Sequence, residues 1–211
     1  MSSGYDRIYS DLLPELSRCN LAESAARLGL KLLPSGEVAA ELCGREYLVT
    51  NQGVEPADRQ PVNVNHRSVL AYYILSKGSG EMEQSWVPLN RLSGTIDGQK
   101  THDKGMLLQP LLRELGNDYA RFHYAASKLG GVPEPNSDDG ARVWSFRVLP
   151  KIPIRVRFYE ADDEFPADIQ LFFDRSARKF LEYECLAFLT GCFVDSLLKA
   201  ARQAAVAHAS Q

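Results

Sequence analysis

Three arginines, Arg147, Arg155 and Arg157, stand on strand-like stretches of this chain at positions whose parity turns their side chains to one face. Three guanidiniums on one face repel unless something anionic lies across them. A planar guanidinium fork suits bidentate contact with a carboxylate or phosphate, which makes the group a candidate platform for an anionic ligand or partner. The plainer alternative is a solvated face on which Asp168, Glu160 or Asp174 pairs with an arginine across the strands. A second cluster lies nearby. The loop EADDEFP at 160–166 gathers Glu160, Asp162, Asp163 and Glu164. Asp162, Asp163 and Glu164 could ligate a hard cation through oxygen, or one carboxyl could stay protonated as a general acid. The spacing does not match an EF-hand, and a solvated charged turn is the competing reading. Phe165 is expected to bury and draw the acids towards the body.

Two histidines enter the same inventory. His123 shares a helical side with Tyr119, Phe122 and Ala126, so it is the one histidine expected to be partly buried, as a satisfied core residue or as a ligand or proton carrier beside an aromatic wall. His66 opens a helix, where the positive helix end favours a neutral capping or solvated imidazole. Cys19, Cys43, Cys185 and Cys192 are dispersed without a CxxC, so their spacing encodes neither a zinc ribbon nor an iron–sulfur cluster, and they read as buried thiols. Cys185 and Cys192 lie about 10 Å apart along a helix axis, too far for a disulfide.

The elements that position these residues follow from periodicity. Apolar residues at helical spacing mark 5–18, where Pro14 is expected to kink or divide the run. Asn20 caps a helix over 21–28 that Gly29 stops. A two-residue period over 38–42 and 46–50, turned at Gly44, predicts a hairpin. Residues 51–61 collect turn formers and read as loop. Asn65 or Ser68 caps the helix in HRSVLAYYILSK. Residues 81–100 read as irregular, anchored by Trp86. After His102 and Asp103, a helix over 104–115 tolerates Pro110, and Asn117 or Asp118 caps another over 119–129.

The tract GGVPEPNSDDG at 130–140 is the most loop-like stretch. Its glycines stop a helix, it lacks the lysine of a P-loop, and it is a lid or a plain connector. Three alternating segments then follow, at 142–149, 152–159 and 168–174. They predict an antiparallel meander with Ile154, Val156, Phe158, Ile169, Leu171 and Phe173 inward. Asp174 and Ser176 are positioned to cap a long closing helix over 178–201, in which Gly191 suggests close approach of another element. The fold class is α+β: an antiparallel sheet built from the meander and the N-terminal hairpin packs against helices in one domain over 1–211, with 203–211 a frayed tail.

Composition bounds the rest. The 211 residues are 45% apolar and carry a formal net charge of −3, enough for a sizeable core and no pull towards nucleic acid. No long apolar run predicts a membrane span, and charges and a proline interrupt the first twenty residues, so a cytoplasmic protein is expected.

The stretch LPKIPIRVRFYEADDEFPADIQLFFDRSARKFLEYE, preceded by NHRSVLAYYIL, SWVPLNRLSG and the paired glycines near 130, resembles the bacterial domain of unknown function 3786 family over about residues 5–198. The resemblance implies an association with anaerobic bacteria. Some members look fused to a cysteine-rich iron–sulfur module, a stretch not found in these residues. It implies no activity, cofactor or catalytic residue, and marks Pro153, Asp163, Glu164, Phe165, Pro166, Asp174 and Glu184 as positions to test. Three functions compete. One is a non-enzymatic binding or accessory module for a small anionic ligand, a metal-containing cofactor or a protein partner, using Arg147, Arg155, Arg157, His123, Asp163 and Glu164. The second is an enzyme with Asp163 or Glu164 as acid or base and Arg155 or Arg157 stabilising negative charge. The third is an interaction or scaffold domain, with a homodimer formed through the closing helix or the sheet.

Overall fold

The structure, a computed structural model, describes residues 4–93 and 103–209. His102 and the part of the expected irregular stretch beyond 93 lie outside the described residues. The fold is α+β, with two antiparallel sheets and a long C-terminal helix. The chain divides into two compact units. The first comprises Met1–Glu83, Val148–Ile152 and Ser176–Cys192, the second Gln84–Arg147, Pro153–Arg175 and Phe193–Gln211.

In the first unit, α1 (Gly4–Leu16) runs as a single helix. Pro14 falls in its last turn, where little helix remains beyond it, and does not divide the run. The carbonyls of Leu16 and Cys19 beyond it accept from the Asn51 side-chain amide at 2.8 and 2.9 Å. In α2 (Leu21–Leu28), Asn20 accepts from the Glu23 amide and Gly29 takes a left-handed φ of 70°, as the sequence predicts. The hairpin of β2 (Val38–Leu42) and β3 (Arg45–Thr50) also forms. Its turn, Cys43–Gly44, has φ of 52° and 75°, the two positive values of a type I′ turn. Two further strands flank it, β1 (Lys31–Leu32) and β4 (Gly53–Pro56), giving the order β1-β2-β3-β4. The second corrects the loop expected over 51–61.

The helix α3 (Val64–Leu75) is capped by Asn63, which accepts from the Asn65 amide, rather than by Asn65 or Ser68. His66 is neither solvated nor a cap: it is buried, its Nδ1 2.8 Å from the Tyr47 hydroxyl. Tyr47, Tyr73, Leu16, Leu28, Leu42, Leu70 and Phe180 are among the fully buried side chains of this unit.

The second unit is organised around a five-stranded antiparallel sheet. Its strands are β5 (Trp86–Pro88), β6 (Val132–Pro133), β7 (Arg142–Leu149), β8 (Ile152–Tyr159) and β9 (Asp168–Asp174), in the order β5-β9-β8-β7-β6. The last residues of β7 and the first of β8 count with the first unit. The predicted meander is thus the sheet's centre. Alternation holds along β8, where Ile154, Val156 and Phe158 are buried and Arg155, Arg157 and Tyr159 are half-buried. Two α-helices lie wholly within this unit among the described residues, α4 (Asp103–Leu115), which accommodates Pro110, and α5 (Tyr119–Lys128), capped by Asp118. Phe122 of α5 meets Phe158 at 4.9 Å between ring centroids and Trp144 edge-on at 6.2 Å, the centre of an aromatic core.

The closing helix α6 (Tyr183–Ala209) starts later and runs further than the 178–201 predicted, and residues 210–211 lie outside the described ones. Asp174 and Ser176 do not cap it. Both are fully buried, at the entry to a 3-10 turn over Arg175–Lys179, and Asp174 departs from the outward parity of β9 where the chain leaves the strand. A side chain at Gly191 would meet open space, so the expected close approach there is absent. Cys185 and Cys192 are buried free thiols, and burial pushes the Cys185 thiol up to about 11. Among the described residues no helix is long and apolar enough to cross a membrane.

Candidate functional site

The face of the five-stranded sheet that carries the odd-numbered residues of β8 holds a cleft of about 320 Å³. Strand pleating puts Arg155 and Arg157 on this face, and the register sets Arg155 opposite Phe172 and Arg157 opposite Gln170 of β9. The edge strand β5 adds Trp86, whose ring lies 4.2 Å from the Arg155 guanidinium carbon, within cation–π distance. Arg157 lies 5.9 Å from the rings of both Phe172 and Tyr159. Val143 and Ser137 complete the part of the lining that matters here.

The loop 130–140 supplies the anions. It leaves α5 through Gly130 at φ 71° and Gly131, where a Cβ would run into the Phe146 ring and the Ala126 carbonyl. It then pairs with β7 through Val132–Ser145 and Pro133–Trp144. Glu134 is held by its amide on the Val143 carbonyl at 2.8 Å. Its carboxylate takes Arg155 in a fork: Nε donates to Oε1 at 3.3 Å and Nη2 lies 2.7 Å from Oε2. Further on, Gly140 at φ 82° closes a turn by donating to the Ser137 carbonyl at 2.9 Å, which carries Asp139 onto Arg157.

Arg157 donates to Asp139 Oδ1 at 3.0 Å, Tyr159 donates to Oδ2 at 3.0 Å, and Ser137 donates its hydroxyl to Oδ1. These donors hold the Asp139 carboxyl below its ordinary range, the Ser137 hydroxyl first, then Tyr159, the Ala141 amide and the Arg157 charge. Tyr159 is correspondingly pushed up, by burial first and then by its bond to Asp139.

The other sequence candidates are placed elsewhere. Arg147 is exposed, does not line the cleft and has no ion pair among the described residues. Neither Asp168 nor Glu160 nor Asp174 pairs with Arg155 or Arg157. Asp168 accepts from Gln170 at 2.8 Å, and Glu160 takes Arg142, whose guanidinium carbon sits 4.1 Å from the Tyr119 ring centroid. His123, expected to be partly buried, is exposed, its ring edge-on to Trp144 at 5.1 Å; the buried histidine is His66.

Asp163 and Glu164 are exposed on their loop, and Phe165 is 67% exposed rather than buried. Asp162 is exposed too, but its carboxylate folds onto the backbone of its own loop. It accepts from the amides of Phe165 at 2.7 Å and Glu164 at 2.9 Å, bonds that lower its carboxyl, so the turn is ordered by its own backbone rather than by Phe165. Among the described residues no three His, Cys, Asp or Glu side chains gather in a way that could hold a metal ion. Trp86, Glu134, Ser137 and Asp139 are the site residues that sequence reasoning missed. For Glu134, Ser137 and Asp139 the one signal was the acids of the tract 130–140, and Trp86 showed only as the anchor of an irregular stretch.

What the cleft can do chemically follows from its parts. Two half-buried guanidiniums over aromatic rings can bind oxyanions, and two loop carboxylates already sit on them. A family model described as a domain of unknown function (DUF3786) matches residues 20–196. No curated protein and no solved structure matches.

Proposed function

The chain belongs to the DUF3786 family, a description that names no activity, and from that premise we propose that it is a non-enzymatic binding module whose second unit takes a small anionic ligand at Arg155 and Arg157. One observation carries this reading: two guanidiniums on one strand face, each beside an aromatic ring, line a cleft whose volume lies at the lower end of the range for small-molecule sites. An oxyanion there would gain charge-assisted hydrogen bonds in a partly desolvated setting. A cytoplasmic location goes with this reading, supported by four free cysteines of which Cys43, Cys185 and Cys192 are buried. An enzyme built on Asp163 or Glu164 has less support, since neither lines the cleft that holds the arginines.

Titration calorimetry of the full chain with inorganic phosphate tests the proposal. Binding by the unaltered protein should weaken about tenfold or more in Arg155→Gln and in Arg157→Gln, the loss of a charge-assisted bond. Arg147→Gln should bind like the unaltered chain. Equal heats from all four proteins would defeat it.

A further inference from the structure

We infer that the natural occupant of this cleft is a small dicarboxylate, and that Glu134 and Asp139 hold its place until it arrives. The inference rests on the anion-binding reading above and goes further by naming the ligand class and its competitor.

The geometry of the two ion pairs carries it. Arg155 is engaged by both oxygens of Glu134, and Arg157 by an Asp139 carboxylate whose second oxygen is taken by Tyr159. Each arginine therefore already displays the contact it would make with one carboxylate group. The two carboxylates do not come from neighbouring strands, as paired charges on a sheet face would. They come from one loop between β6 and β7, whose other backbone bonds at this point run within the loop or to the start of β7.

The receiving arginines, by contrast, stand on a strand paired on both sides. Arg155 and Arg157 stand two residues apart on a central strand, about 6.6 Å along its axis. A straight diacid of about five or six carbons spans that step, with its chain over Phe172 and Trp86. Arriving with two carboxylates, it replaces both loop acids without leaving a half-buried guanidinium uncompensated. A monoacid replaces only one.

Competition by the chain's own carboxylates has a measurable signature. Removing either one raises the fraction of molecules whose arginine is open, so affinity for the diacid rises by the same factor. An ion pair whose partners both keep some contact with solvent, as both of these do, is worth a few-fold, about two- to fivefold in affinity.

The test is calorimetric titration of the full chain with glutarate, adipate and acetate. One of the two diacids should bind about tenfold more tightly than acetate, the worth of a second charge-assisted contact. Glu134→Gln and Asp139→Asn should each tighten that diacid two- to fivefold. Glu160→Gln, which removes a carboxylate of the same unit held on Arg142, should leave it unchanged. If Glu134→Gln loses its circular dichroism spectrum, Asp139→Asn alone decides the matter. Equal affinity for acetate and both diacids, or tightening in Glu160→Gln as large as in the loop variants, overturns the inference while phosphate binding keeps the anion site. Silence of the full chain towards phosphate and diacids alike removes both.

Discussion

Of the two carboxylates held on the arginines Asp139 is the more heavily bonded, and its chemistry sets a pH window. Its folded pKa is depressed, so its contribution to stability is complete above the unfolded carboxylate value, about 3.9, and is lost as pH falls through the lower folded value. An acid titration of stability by denaturant unfolding should therefore show the unaltered chain losing its advantage over Asp139→Asn below about pH 4. The two should run parallel above it. A constant difference down to the lowest pH would mean that Asp139 is not held by these donors in solution. At this scale the arginines were legible in the sequence and their partners were not. Period-two alternation puts Arg155 and Arg157 on one face whatever else the chain does, whereas Glu134 reaches Arg155 through its amide bond to the Val143 carbonyl and Asp139 reaches Arg157 through the turn closed at Gly140. The histidines show the same limit. Both lie on correctly read helices, yet whether a helix side is covered depends on what packs there, and Tyr47 covers His66.

The strands that went unread have one property in common. The strands β1, β4, β5 and β6 are the outer strands of the two sheets, and each is two to four residues long. Three of them end in proline, at Pro56, Pro88 and Pro133, the residue that argues most strongly against a strand when seen in a sequence. At a sheet margin proline is admissible because the missing N–H would have pointed away from the ladder, and it leaves no donor for another chain to pair with. Replacing Pro56, Pro88 and Pro133 together by valine should therefore produce concentration-dependent association, seen as a rising apparent mass in light scattering. An unchanged mass across the accessible concentration range would show that strand shortness alone protects these margins. The central strands and the capped helices were legible for the complementary reason. Their signals, alternation and the side-chain caps Asn20 and Asp118, are local.

For the whole molecule, the chain passes between the units at 83/84, 147/148, 152/153, 175/176 and 192/193. No shift in composition marks these points, because two of them fall inside β7 and β8 and one inside α6. Neither unit is a continuous piece of sequence, so residues 1–83 alone lack two segments of their own unit and should show no cooperative unfolding by circular dichroism. The single-domain expectation is a proposal of the same kind: the intact chain melts in one step. The placement of the indoles makes that readable without labels. The chain has two tryptophans, Trp86 in the arginine cleft and Trp144 in the aromatic core, and both belong to the second unit. Indole emission therefore reports one unit, while the far-ultraviolet ellipticity reports the helices of both. If the two signals share a midpoint, the units melt together. If emission changes at a different temperature, the protein has told its two halves apart in its own light.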